Sequence, residues 1–167
     1  MPATRLAAAA AVLLAGALAA CGTDAQDSPD LGGSWQASLD LVPEWKSVYP
    51  GGTGTVKVTS ADGTSVQLTV AGLGEETEYM AHIHDAECDE TPPGGGHWLA
   101  DPSGEDAVPN IVELHFTTST SGTGSQTESA DVMLDDRAES VVVHAPDDVV
   151  AAEGRADNRI LCGDLDD

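Results

Sequence analysis

Four histidines in this chain occupy positions from which their imidazoles could converge on one metal ion. His82 and His84 are separated by one residue in a strand-like run, and residues i and i+2 of a β-strand project from the same face. His97 follows a run of glycines that lets the backbone fold back, and His144 ends the apolar run 141–143. Two imidazoles on one strand and two from distant segments predict a nitrogen-ligated metal site.

The donor set favours copper. Imidazoles without a cysteine or carboxylate at comparable positions suit Cu(II) in a tetragonal arrangement, and the affinity of such sites for Cu(II) exceeds that for zinc. Zinc is the alternative from the residues alone, but zinc cannot change oxidation state. The sequence therefore predicts a copper site capable of redox chemistry.

The amino terminus has the pattern of an export signal. Arg5 precedes an Ala/Leu-rich segment over residues 6–20 that is too short for a membrane span, and Cys21 stands where the small-residue cleavage pattern ends. We interpret residues 1–20 as a lipoprotein signal peptide and Cys21 as the lipidated mature N-terminus, with an ordinary secretory signal as the alternative. Residues 21–32 predict an acidic tether. We therefore expect a protein anchored to the cell membrane and facing the extracytoplasmic side.

Cys88 and Cys162 are the cysteines left for pairing if Cys21 carries lipid. Export brings them into an oxidising compartment, where a disulfide is the expected fate. The chain-entropy relation gives about 4 kcal/mol for a bridge that closes so long a loop.

The chain is strongly acidic, with a formal net charge of −23. Phosphate binding needs clustered lysine and arginine, so we expect no nucleic-acid partner. The acidity is typical of a protein kept soluble at a cell surface or in a salty habitat.

Residues 33–167 predict one all-β domain. Residues 55–59 and 65–70 alternate apolar and polar side chains around a hairpin signal at Asp62-Gly63. Further strands are predicted at residues 79–84, 111–118, 130–134 and 140–144. No stretch of useful length has a helical period, and short strands with glycine-rich turns predict a sandwich or Greek-key barrel.

Three segments interrupt this pattern. Residues 85–110 are long, irregular and rich in Pro and Gly, which predicts a functional loop because they hold Cys88 and His97. Residues 119–129 are of low complexity and predict a flexible connection. Residues 34–49 fit either a first strand or an added N-terminal cover.

In their order along the chain, these motifs resemble copper/zinc superoxide dismutases, and the secreted bacterial branch is most similar. The resemblance spans residues 53–165 and is carried by His82-Ile-His84, Cys88, Gly-Gly-His97, Val-Val-His144 with Asp147-Asp148, and Arg159-x-x-Cys162-Gly163. It implies an eight-stranded Greek-key β-barrel with long metal-binding and disulfide loops. It also implies conversion of superoxide anion to oxygen and hydrogen peroxide.

The resemblance assigns roles to individual residues. His82, His84, His97 and His144 correspond to the copper ligands, and Cys88 and Cys162 to the family disulfide. Arg159 corresponds to the arginine that guides the anion beside copper, a role suited to a permanently charged donor. A surface ion pair with a neighbouring aspartate is the alternative for Arg159.

The chain departs from the family where zinc would bind. Zinc-containing members supply two further histidines and an aspartate, whereas the segment between His97 and Phe116 offers only His115. Alternation places His115 on a polar strand face, where we expect it to face solvent. The nearby acidic residues show no ligand spacing and comprise Asp101, Glu105, Asp106 and Glu113. We therefore predict a copper-only variant without a zinc site.

Three functions fit these observations. In the first, superoxide dismutation, His97 serves as ligand and proton carrier, and Arg159 guides the anion. In the second, a non-enzymatic lipoprotein uses the same ligands to buffer or deliver copper, which the missing zinc site and acidic surroundings favour. A metal-free structural barrel is the third. Asp147 or Asp148 either orients a copper ligand or forms a solvated turn.

Overall fold

The computed structural model describes residues 32–165, which form eight antiparallel strands and one short α-helix. The strands are β1 (Gly33–Leu41), β2 (Thr53–Ser60), β3 (Thr64–Ala71), β4 (Glu78–His84), β5 (Glu113–Thr117), β6 (Gly124–Ala130), β7 (Ser140–His144) and β8 (Arg159–Asp164). A 3-10 helix covers Pro43–Trp45, and α1 covers Asp147–Glu153. The predictions for the signal peptide and for Cys21 lie outside the described residues. Within residues 32–165, no helix has the length and hydropathy needed to cross a membrane.

The strands form a nearly closed barrel. Hydrogen-bonded neighbours follow the order β5-β4-β7-β8-β1-β2-β3-β6, and β5 and β6 at its two ends contact each other. The connections from β3 to β4 and from β6 to β7 join strands that are not neighbours, as in a Greek key. The predicted eight-stranded all-β fold is confirmed.

Period-two alternation decides which side chains fill the barrel. On β2 and β3, Val58 and Val66 are fully buried while the residues between the apolar positions face outward. On β4, Tyr79, Ala81 and Ile83 point into the core, so that Met80, His82 and His84 lie together on the opposite face. This alternation fixes the side of the sheet on which the histidines gather.

The long loop 85–110 covers the outer face of β7. Ser140 Oγ donates a hydrogen bond to the carbonyl of Ala86 over 2.7 Å. Gly94 has a φ of +80°, and a Cβ placed on it would lie 2.6 Å from Cγ2 of Val142. Only glycine permits both this backbone conformation and this close approach. Every residue of β7 is therefore buried.

Two sequence predictions on the second half of the chain are wrong. Residues 130–134 do not form a strand; instead, the segment predicted as a flexible connection contains β6. Its residues pair with β3 from Thr64↔Ala130 to Val70↔Gly124. Because β6 has no fully buried residue, its sequence lacks the apolar alternation by which strands are recognised.

The amino-terminal and helical segments also differ from expectation. Residues 34–49, for which a first strand and an N-terminal cover are both expected possibilities, contain most of β1, which pairs with both β2 and β8. Helix α1 was not predicted, because none of its residues is buried and its sequence therefore shows no amphipathic period. It begins after Pro146 and ends at Gly154 in the left-handed conformation, as helix caps commonly do.

Candidate metal centre

The fold brings the four histidines of the predicted site together. His82 and His84 come from β4, and His144 ends the neighbouring strand β7. His97 is carried by the long loop and forms an isolated β-bridge with His84. One ring nitrogen from each of the four lies within 4.8 Å of the others. Neighbouring strands and a folded-back loop thus build the cluster predicted from the sequence.

Two of the rings are held by a carboxylate on their outer side. His82 Nε2 lies 2.9 Å from Glu113 Oε2, and His97 Nδ1 lies 2.7 Å from Asp106 Oδ1. A carboxylate only accepts hydrogen bonds, so each of these ring nitrogens carries the proton. The remaining nitrogen of each ring, Nδ1 of His82 and Nε2 of His97, is therefore a lone-pair donor available to a metal.

The remaining two rings meet at the centre of the cluster. His144 Nδ1 lies 3.0 Å from Asn158 Oδ1, which leaves His144 Nε2 free on the inner side. His84 Nε2 lies 3.2 Å from that atom. The outer nitrogen of His84, Nδ1, is buried without a hydrogen-bond partner, so packing alone supports this ring from behind.

These atoms fit a metal ion. His82 Nδ1 is buried without a hydrogen-bond partner, and leaving such a group unsatisfied costs about 1–3 kcal/mol. An ion held by His82 Nδ1 and by the Nε2 atoms of His84, His97 and His144 would satisfy that nitrogen. The donor set is composed of imidazole nitrogen, which suits copper and zinc.

Burial favours the neutral form of three of the four histidines. Desolvation lowers the pKa of His84 to about 2 and that of His144 to about 4, with a further decrease from neighbouring histidines and from Arg159. Desolvation also lowers the pKa of His82, although the hydrogen bond to Glu113 opposes the shift. That hydrogen bond is the main cause that lowers the pKa of Glu113. Neutral imidazoles are the form that binds metal.

Sequence reasoning missed the groups that support the rings. Glu113 and Asp106 show no ligand spacing along the chain, and no motif of the sequence includes Asn158. Asp147 and Asp148 were considered, but they lie in the first turn of α1, and among the described residues no hydrogen bond links either to a ligand histidine. The register pair His82↔Glu113 between β4 and β5 carries the missing signal, because directly paired residues share one face.

Arg159 lies at the start of β8, paired with His144. Its Nη1 contacts Asp157 Oδ2 at 3.0 Å, its Nη2 donates to the carbonyl of Gly95 over 2.9 Å, and its Nε is buried without a partner. Its charge helps to lower the pKa of both His84 and His144, so it lies within electrostatic range of the cluster. Arg159 therefore forms the ion pair with a neighbouring aspartate and also lies beside the histidines.

A disulfide fastens the loop that carries His97 to the strand that carries Arg159. Cys88 in the loop and Cys162 on β8 are bonded, which confirms the predicted pairing. The backbone N–H of Cys88 also donates to Asp164 Oδ1 over 2.7 Å. The two elements are thus fixed to each other beside the cluster.

His115 lies on the rim of the site. Its side chain is 52 % exposed, as expected for the polar face of β5, and its Nε2 lies 2.9 Å from Glu113 Oε1. Glu113 therefore links the exposed His115 to the buried His82.

Comparison with known proteins supports the fold. No protein-family model matches the chain, and no curated protein matches it. A SOD-like protein from Bacillus subtilis has a TM-score of 0.54 at 17% sequence identity, over 80% of this chain and 99% of that one. Cu/Zn superoxide dismutase from Brucella abortus has a TM-score of 0.53 at 18% identity, over 80% of this chain and 100% of that one. The chain thus has the fold of copper/zinc superoxide dismutases, which confirms the resemblance at the level of the fold.

Proposed function

We propose that this protein is a copper-dependent superoxide dismutase of the cell envelope. The observation that carries the proposal is the histidine cluster itself, in which one nitrogen from each ring converges within 4.8 Å of the others beside a buried arginine nitrogen. The chemistry that bound copper supplies is reversible one-electron exchange, which oxidises one superoxide to oxygen and reduces a second to hydrogen peroxide with two protons.

The carboxylates select which nitrogen each ring presents. Glu113 takes the Nε2 proton of His82 and turns Nδ1 inward, whereas Asp106 takes the Nδ1 proton of His97 and leaves Nε2. Such partners orient metal-binding imidazoles and raise their basicity. Glu113 and Asp106 are therefore positioning residues that act through His82 and His97.

His97 is the residue we assign to proton delivery. Its side chain is 26 % exposed and contacts Asp106, which is 59 % exposed, so a path from solvent reaches the ring. Its Nε2 can hold a proton whenever it does not ligate a metal. A His97→Ala protein that kept full activity would contradict this role.

Arg159 is the residue we assign to the anion. It offers a permanent positive charge near His84 and His144, and a fixed cation beside a redox site both attracts a small anion and holds it there. The large negative net charge of the chain acts from farther away. Salt screens the effect of charges that lie more than about 8–10 Å from the site.

We further propose that copper is the only metal. A second ion bridged by His97 would need its Nδ1, and that atom is engaged by Asp106 at 2.7 Å. The membrane location is likewise a proposal, based on Cys21 and the preceding apolar segment. Membrane fractionation of cells that express wild type and Cys21→Ser tests it, because loss of the lipid should release the protein.

Copper binding without turnover is the second candidate function. It is favoured by the contacts of Arg159, whose Nη1 is committed to Asp157 and whose Nη2 is committed to Gly95. A guanidinium held in this way has fewer free donors for an anion. The same histidines would then buffer or deliver copper.

The deciding experiment is the rate of superoxide decay by copper-loaded protein prepared without zinc. We compare wild type with Arg159→Ala and with Lys57→Ala, which removes one positive charge from β2. Fast decay that falls only in Arg159→Ala supports the dismutase. Wild-type protein that binds copper but is no faster than His82→Ala supports copper binding without catalysis.

A further inference from the structure

A methionine stands between two histidines on the outer face of the sheet. Met80 on β4 is in register with His115 on β5 and with His144 on β7. Directly paired residues of antiparallel strands project from the same face. A thioether therefore lies in one row between an exposed imidazole and a member of the histidine cluster.

The same residues line a cavity beside the cluster. It has a volume of about 240 Å³, and its walls include Glu78, Met80, His115, His144 and Asp147. His144 thus belongs to the cluster and also lines this cavity, whereas the proposed dismutase mechanism uses none of the other four residues. The cavity reaches solvent at Glu78 and His115, whose side chains are 73 % and 52 % exposed.

Two of the wall residues hold their donor atoms at the spacing of metal ligands. His115 Nδ1 lies 3.7 Å from Glu78 Oε1, which is too long for a hydrogen bond. Ligand atoms that each lie about 2.0–2.2 Å from one ion are separated by roughly 3.3–4 Å. Glu113 holds the other nitrogen, His115 Nε2, at 2.9 Å, so Nδ1 is the one that faces Glu78.

Met80 is the candidate for a third donor, and its sulfur would supply the selectivity. Glu78 and His115 alone are two hard or borderline ligands, which many ions would accept. A thioether is a soft ligand that favours Cu(I). Met80 is half-buried and shares the cavity with both residues.

We propose that Glu78, Met80 and His115 form a second, solvent-facing copper site, which takes up Cu(I) and passes it to His144. The proposal rests on the proposed function in one respect, that the histidine cluster is the recipient of the ion. The transfer exchanges ligands without a change of oxidation state. Copper that enters by this route would meet the surface site before it meets the buried His144.

The first test is an anaerobic titration with Cu(I) against a chromophoric Cu(I) chelator. Wild-type protein should bind one equivalent tightly and a second more weakly. Met80→Leu, which keeps the shape of the side chain, and Glu78→Gln should each lose only the weaker equivalent. Met133→Leu is the matched control, because Met133 lies near Gly32 and is not among the residues that line this cavity, and it should keep both.

The second test is the rate at which limiting Cu(I) fills the histidine cluster. Met80→Leu should fill more slowly by about tenfold, the lower end of the loss seen when a metal site loses a supporting group, and should reach the same final occupancy. Equal filling rates in wild type, Met80→Leu and Met133→Leu would overturn the transfer step.

The titration separates this proposal from the dismutase proposal. A weak equivalent that disappears in Met80→Leu supports the surface site even if the histidine cluster takes no copper. A tight equivalent alone in wild type, or a weak equivalent that survives in both variants, would overturn the surface site and leave the dismutase proposal intact. In that case Met80 covers apolar surface and His115 forms surface ion pairs.

Discussion

The outer faces of the two halves of the barrel differ in their exposure to solvent. On β2 and β3 every second residue reaches solvent or is half-exposed, whereas every residue of β7 is buried. The difference comes from loop 85–110, which packs against β7 and contributes His97 to the cluster. Covering the sheet takes polar side chains out of water, and buried polar groups must then find partners or bind an ion. The covered half is therefore the half that can hold a metal, and the open half is scaffold.

The largest expected effect comes from cutting the bond that holds the cover in place. Cys88→Ser frees loop 85–110 from β8 and should lower the free energy of unfolding by about 2–5 kcal/mol. The cut should also weaken copper binding, because His97 is carried by that loop. Chemical denaturation with and without copper measures both effects. Thr69→Ala, an exposed change on β3 in the open half, should stay within about 0.5 kcal/mol.

A smaller effect is expected where the loop touches the sheet. An alanine at Gly94 would meet Cγ2 of Val142 at 2.6 Å and would have to adopt a φ of +80°, so we expect a loss of about 1–3 kcal/mol and weaker copper binding. Gly154→Ala is a matched control, since Gly154 also has a positive φ, +60°, but apart from its neighbours in the chain no atom would lie within 4 Å of an added Cβ. Backbone strain alone should lower its free energy of unfolding, by about 1–2 kcal/mol, and its copper affinity should not change. Equal copper affinities in the two variants would show that the loop does not shape the site.

The next effect concerns the groups behind the rings. Glu113→Gln and Asp106→Asn should each lower copper affinity by about 10- to 100-fold, because the amide no longer fixes the inward nitrogen of His82 or His97. Competition against a copper chelator measures the affinity. Glu128→Gln on β6, in the open half of the barrel, should leave it unchanged. A Glu113→Gln protein with wild-type affinity would mean that packing alone orients His82.

The same contrast explains what the sequence could predict. Alternation in β2 and β3 identifies strands because one face is apolar and the other is wet, and the His82-x-His84 spacing on β4 places two imidazoles on one face for the same reason. The sequence does not predict strand β6, because no residue of it is fully buried. It does not predict α1 either, because no residue of that helix packs fully into the core. An apolar pattern in the sequence indicates burial, and the apolar residues of these elements are at most partly buried.

The supporting groups could not be predicted because they depend on register. Glu113 reaches His82 only because those two residues pair across β4 and β5, and Asn158 reaches His144 only through the turn between α1 and β8. Neither relation appears in spacing along the chain. The ligands come from short motifs, whereas their partners come from the tertiary fold.

The most gradual effect is expected from pH. The pKa of His84 and His144 is lowered in the folded metal-free protein, to about 2 and about 4, against an ordinary value near 6.5. The unfolded chain therefore binds more protons than the folded protein below about pH 6.5, so stability should fall as the pH decreases from there toward 4, by up to about 1.4 kcal/mol per pH unit for each histidine. Above about pH 7 both states are neutral at these positions, and the contribution should be constant. Denaturant unfolding of metal-free wild type and His144→Gln between pH 7.5 and 4.5 measures the slope, which should be shallower in the variant. A parallel pH dependence in the two proteins would mean that His144 does not contribute to the acid sensitivity.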